Sequence, residues 1–242
     1  AAEEPVGPAA STGKALNVGT IGAYSPKTFA VRLASPGFAA GKPVSQTVSL
    51  PFDGDGMSLD DDRTDGDLDG AGHTIPGELV PSTLDIAGVA FSLGPATPGA
   101  KNFLRAKGNT IRLPEGVFDH VYLLASATGD ARVTLRAGSA SHTVVIPRFM
   151  GQTGQWDSPL LNGKSMSLTR INGKALENAF FTPGFMKQQQ AGFIATHIHD
   201  GKANVNVPYI FGTMYLVKLP LTKGATTLTL PSDPRVCVFA MT

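Results

Sequence analysis

The sequence predicts an all-β protein, a jelly-roll-like β-sandwich with long loops and little helix. Three observations lead there. Short runs rich in β-branched and aromatic residues recur along most of the chain, Gly, Pro, Asn or Asp clusters bound most of them, and helical periodicity is nearly absent. Strands at this spacing build a sandwich rather than βαβ units. No repeat of about 20–50 residues is visible that would indicate a propeller or solenoid.

Residues 1–14 (AAEEPVGPAASTGK) carry no periodic pattern and predict a loose tail, leaving 15–242 as a single sandwich domain. Strand-like runs then follow at 28–33, 44–50, 121–125, 133–136 and 143–146, and again at 165–171, 209–219, 226–230 and 236–241. Alternation is clearest in 141–146 (SHTVVI) and 226–230 (TTLTL). The best helical segment, 173–180 (GKALENAF), is too short to be a major element.

With 42% hydrophobic and 16% charged residues among 242, the chain can bury a sizeable core, which excludes a disordered protein. No apolar run approaches the roughly 20 residues of a membrane span. A net charge of +1 gives no electrostatic case for nucleic acid. The single cysteine, Cys237, excludes an intrachain disulfide and a Cys-rich zinc site, and its apolar neighbours make it a buried thiol. The balanced total conceals an asymmetry: 53–69 holds eight aspartates and one basic residue, Arg63, a local charge of −7. Such a block repels itself unless it is solvated or neutralised by a cation.

That block supplies the first candidate site. Asp65, Asp67 and Asp69 alternate and Gly70 follows at the sixth position, as in the first half of a calcium loop. The twelfth position is Pro76, so an EF-hand is incomplete, and Glu78 could close only a non-standard loop. Calcium held by Asp65, Asp67, Asp69 and Glu78 stands against a solvated acidic loop held by turns and Arg63. The second site is His197-Ile198-His199-Asp200, whose two histidines, at i and i+2 on a strand, point to one side. They could ligate one metal or face one sugar, with His73 and Asp200 as further partners, or simply be hydrogen-bonded at a strand end. The third is Gln155-Trp156-Asp157, where the only tryptophan, flanked by polar side chains, offers either a platform for a sugar face or a core residue. Tyr209 joins these as a candidate glycan contact. His120 and His142 read as structural, and no GxSxG, P-loop or dinucleotide motif is present.

Taken in order, 26–33 (PKTFAVRL), 48–53 (VSLPFD), 65–70 (DGDLDG), 76–79 (PGEL), 108–114 (GNTIRLP) and 121–127 (VYLLASA) resemble one known family. So do 154–157 (GQWD), 183–185 (PGF), 196–199 (THIH), 224–231 (GATTLTLP) and the ending 239–242 (FAMT). The family is the C-terminal β-sandwich region of bacterial glycoside hydrolase family 38 α-mannosidases. Leu68 and Ile198 depart from it, standing where the family pattern has an aromatic and an arginine. In those enzymes a separate N-terminal domain carries the catalytic zinc and the nucleophile. The resemblance therefore implies an accessory module without its enzyme.

The expected function is a non-catalytic, carbohydrate-associated module that recognises a glycan or polysaccharide through Gln155, Trp156, Asp157, His197, His199 and Tyr209. Calcium would shape the aspartate loop, and a catalytic domain or subunit is a possible partner. A stand-alone glycoside hydrolase or polysaccharide lyase, and a purely structural or assembly domain, are the alternatives. Absence of disulfides fits any compartment, while carbohydrate work and the Ala-rich start point to a secreted or periplasmic protein.

Overall fold

The computed structural model describes residues 44–155 and 184–242, and between them the backbone of short strands within 158–182. All lie in the unit Lys42–Thr242. The expected tail at 1–14 and the strand-like run at 28–33 fall outside the described residues.

The chain first forms β1 (Met57–Ser58), β2 (His73–Pro76), a 3₁₀ turn at Gly77–Leu79, and the hairpin of β3 (Thr83–Ile86) and β4 (Val89–Ser92). Next come β5 (Leu104–Arg105), β6 (Thr110–Arg112), β7 (His120–Ala127), β8 (Ala131–Ala137) and β9 (Ala140–Ile146). Short strands follow: β10 (Gly154–Gln155), β11 (Ser158–Leu161), β12 (Lys164–Ser165), β13 (Arg170–Ile171), β14 (Lys174–Ala175), β15 (Phe180–Thr182) and β16 (Phe185–Met186). The chain closes with β17 (Gln190–Asp200), β18 (Val205–Pro220), β19 (Thr227–Thr229) and β20 (Val236–Met241). The protein is all-β, a strand-dominated sandwich whose described residues hold no helix beyond the 3₁₀ turn.

Seven strands pair in the order β1-β2-β17-β18-β7-β20-β5, and four more in the order β6-β19-β8-β9. Sequence alternation explains how the two sheets meet. In β8, Ala131, Val133, Leu135 and Ala137 are buried while the residues between them are exposed. These side chains pack with Ile111 and Leu228 of their own sheet and with Leu123, Ala125, Val217 and Val238 of the larger one. Gly138, with φ of 60°, opens the two-residue turn from β8 to β9, a position that favours glycine.

The larger sheet is covered on its other face too. Leu124, Cys237 and Phe239 point away from the first core and pack with Met57, Leu68, Ile75, Phe91, Phe103 and Ile198. This second core lies under the β3–β4 hairpin and the aspartate loop. It explains why all six residues of β20 are buried, since a strand covered on both faces reads as an unbroken apolar run. A register irregularity between Val238 and Ala240 flips the alternation, so that Ala240 joins the second core and Met241 the first. Burial pushes the Cys237 thiol up to about 12, as expected of an inert core cysteine.

Two expectations need correcting. The run 44–50 makes only a single bridge, Val48 to Met241, rather than a strand. Within the expected helical segment 173–180, Lys174–Ala175 is a strand paired with Arg170–Ile171, and Phe180 begins β15.

Candidate metal centre

Strand register assembles the site at the β1 end of the seven-stranded sheet. His199 pairs with Thr74 of β2 on one side and Asn206 of β18 on the other, and His197 pairs with Pro208. Cross-strand partners share a face, so His197, His199, Thr74 and Asn206 project together. The intervening Ile75 and Ile198 point into the second core, which fixes this register firmly. Two carboxylates close over the histidines: Asp60 from the turn after β1, and Glu78 from the 3₁₀ turn after β2.

The four side chains form a cluster able to chelate a metal ion, with their ligand atoms within 4.8 Å of one another. Glu78 Oε1 stands 3.9 Å from His197 Nε2 and 3.5 Å from His199 Nε2, and Asp60 Oδ1 stands 3.4 Å from His199 Nε2. None of these contacts is a hydrogen bond. Both Nε2 atoms are buried without a hydrogen-bond partner, a costly state for a polar nitrogen. The His199 side chain is 0% exposed. Burial, with His197 beside it, pushes the imidazole down to about 4 against the opposing pull of Asp60, so His199 is neutral near pH 7.

The far side of each ring is anchored. His199 Nδ1 lies 2.9 Å from Ser58 Oγ, and Ser58 in turn hydrogen-bonds Thr74 Oγ1. With the proton on Nδ1, the ring donates to Ser58 and leaves Nε2 as a free acceptor. His197 Nδ1 lies 3.1 Å from Thr196 Oγ1, which permits the same tautomer. The carboxylates differ. Burial and the neighbouring charge of Asp60 raise Glu78 above the usual range. The hydrogen bond from Asn206, together with Arg63, lowers Asp60 despite slight desolvation.

The other residues anticipated from the sequence are dispersed. Asp65 Oδ2 accepts the Gly99 amide at 2.9 Å. Asp67 Oδ1 accepts the amides of Asp69, Gly70 and Gly72 at 3.1, 2.7 and 3.0 Å. Asp69 accepts the Ala71 amide at 2.9 Å through Oδ1 and meets His73 Nδ1 at 2.9 Å through Oδ2. Of the four anticipated metal ligands, only Glu78 belongs to the cluster. Gln155 lies in β10, opposite Phe185. Trp156 and Asp157 are outside the described residues. Tyr209 follows Pro208 on β18, is 82% exposed and has φ of 65°. Sequence reasoning missed Asp60, Ser58, Thr74 and Asn206. Asp60 could have been found only as one member of an aspartate triplet, with no ligand-like spacing to mark it.

Residues 44–242 match the AziU2-like β-sandwich domain. The chain belongs to that family. No curated protein matches it. Membership overturns the resemblance to the accessory region of family 38 α-mannosidases, and with it the carbohydrate-associated function and its glycoside-hydrolase setting. The physical reason lies in what the shared stretches are. The loop 65–70 is held by main-chain amides and buries Leu68, while 121–127 is a core-forming strand. These are joints of a sandwich rather than marks of a sugar site. Among the described residues of this AziU2-like domain, no helix is long and apolar enough to cross a membrane.

Proposed function

We propose that this AziU2-like domain binds one divalent transition-metal ion of the zinc class within the cluster of His197, His199, Glu78 and Asp60, where the two imidazoles are its ligands. The observation that carries the reading is the pair of buried, unpartnered Nε2 atoms facing two carboxylates. Ligands about 2.0–2.1 Å from a tetrahedral ion stand about 3.4 Å apart, close to the 3.5 and 3.9 Å separations of Glu78 from the two imidazoles. Two imidazoles favour zinc or a neighbouring first-row ion, whereas calcium takes six to eight oxygen ligands. Without an ion the arrangement leaves two buried nitrogens unsatisfied beside two like charges. An ion relieves both.

Titration calorimetry of the EDTA-treated chain with Zn²⁺ is the test. One equivalent is expected to bind and to raise the melting temperature. His199→Ala should abolish both effects, and Ca²⁺ should reproduce neither. Absence of stoichiometric Zn²⁺ binding, or binding unchanged in His199→Ala, would sink the proposal.

A further inference from the structure

The four side chains of the centre are not equivalent, and the difference bears on what else the ion can hold. Glu78 Oε1 approaches both imidazoles, at 3.9 and 3.5 Å, whereas Asp60 Oδ1 makes its 3.4 Å approach to His199 alone. The same Asp60 oxygen is already engaged. It accepts from Arg63 Nη2 at 2.7 Å and from Asn206 Nδ2 at 2.9 Å. Arg63 Nε also donates to Asn206 Oδ1, so Arg63, Asp60 and Asn206 form a closed ring of hydrogen bonds. The oxygen of Asp60 that faces His199 could reach a metal only in competition with the bonds from Arg63 and Asn206. Glu78 accepts no hydrogen bond from another side chain among the described residues, its own main-chain amide being the bond that acts on it, and an ion would add a nearby counter-charge.

Exposure is graded in the same direction. His199 is 0% exposed, Glu78 30% and Asp60 54%, so the centre opens to solvent on the Asp60 side. We propose, resting on the metal reading above, that the ion is held by three ligands only, His197 Nε2, His199 Nε2 and Glu78. Asp60 stays outside as the partner of Arg63, and the remaining coordination position binds a small carboxylate anion. Three protein ligands with a free fourth position make an open site, in contrast to the closed sites of structural zinc. Charge selects the ligand. A divalent ion with Glu78 carries a net positive charge, and the Asp60–Arg63 pair adds nothing to it, so an anionic oxygen ligand is favoured over a neutral one.

The experiment uses the full chain loaded with Co²⁺, whose visible absorption reports its ligand sphere. Acetate is titrated as the carboxylate probe, with acetamide as the neutral control, and Co²⁺ affinity is compared for Asp60→Asn and Glu78→Gln. The expected result is a saturable change of spectrum with acetate and none with acetamide. Asp60→Asn should weaken Co²⁺ binding by no more than about 10–100-fold, as for a residue acting from outside the coordination sphere. Glu78→Gln should lose more than about a hundredfold, as expected for a direct ligand. Equal losses in the two variants, or a spectrum indifferent to acetate, would overturn the inference while leaving the metal site intact. The acetate titration needs no substitution, so a misfolded variant cannot obscure it. If the unaltered chain binds no Co²⁺ at all, the metal reading falls as well, and the missing visible band tells the two failures apart.

Discussion

His199 can serve as a metal ligand only if its free nitrogen is Nε2, and a single hydroxyl decides that. Ser58 is buried, lies 2.9 Å from His199 Nδ1 and hydrogen-bonds Thr74 behind it. Ser58→Ala would leave Nδ1 buried without a partner, at a cost of about 1–3 kcal/mol in stability. It would also release the tautomer, weakening Zn²⁺ binding by about 10–100-fold. Urea unfolding of the metal-free variant measures the first effect and calorimetry the second. Unchanged Zn²⁺ affinity would show that Ser58 does not orient the ring. The sequence displayed the two histidines, because i and i+2 spacing on a strand implies one face whatever the fold. It could also show Glu78 as a ligand candidate, grouped there with Asp65, Asp67 and Asp69, whereas the fold sets it beside Asp60 and the two histidines. Asp65, Asp67 and Asp69 have the alternation of a calcium loop, but each gives at least one oxygen to main-chain amides, and Asp69 gives its other to His73. Asp60 could not be singled out, since its meeting with His199 depends on a turn 139 positions earlier folding over β17.

That turn reaches the histidines because the aspartate loop docks on the β17–β18 hairpin. The Gly201 amide donates to Gly72 O at 2.8 Å, joining the loop to the hairpin turn. A Cβ on Gly201 would lie 2.6 Å from Arg63 O and 3.1 Å from Gly72 O, both main-chain atoms that cannot swing aside. Gly201→Ala therefore forces the loop and hairpin apart, with an expected loss of about 1–3 kcal/mol. Because Asp60 and Arg63 ride on this loop, hydrogen exchange should quicken across 60–72 while β8 and β9 stay protected. Unaltered exchange in the loop would mean that the docking is soft. Long strands such as β7, β18 and β20 were readable from their apolar runs, because burial on two faces leaves a composition signal. The two-residue β1 and four-residue β2 left none, yet they carry Ser58 and Thr74. Register is equally silent in sequence. The irregularity in β20 that sends Met241 to the first core depends on pairing with β7.

Eight aspartates within 53–69 ought to repel one another, and the folded chain gives most of them hydrogen-bond partners. Asp53 is drawn toward Lys107 at 2.8 Å and accepts the Arg105 amide at 2.8 Å. Burial alone would raise its carboxyl, but these bonds and charges together hold it below the ordinary value of 3.8. Asp69 behaves likewise: burial opposes ionisation, and the bonds from His73 and the Ala71 amide outweigh it. A carboxylate whose folded pKa is depressed contributes stability that is present in full above 3.8 and fades as pH falls through the folded value. Asp55, raised by its burial, contributes with the opposite sign and softens the decline. The metal-free protein should therefore lose stability first as the pH drops from about 6.5 to 4, where the unfolded chain protonates His199 and the folded chain does not, and further through the carboxylate range, read as a falling urea midpoint. Asp69→Asn removes one such group while leaving an oxygen to accept the Ala71 amide. It should be less stable than the unaltered chain at about pH 5, by about 1–2 kcal/mol, and should lose less on further acidification. Parallel curves for the two proteins would mean that Asp69 is solvated as well in the folded chain as in the unfolded one. The acidity of the loop would then be carried by water instead of by its own hydrogen bonds.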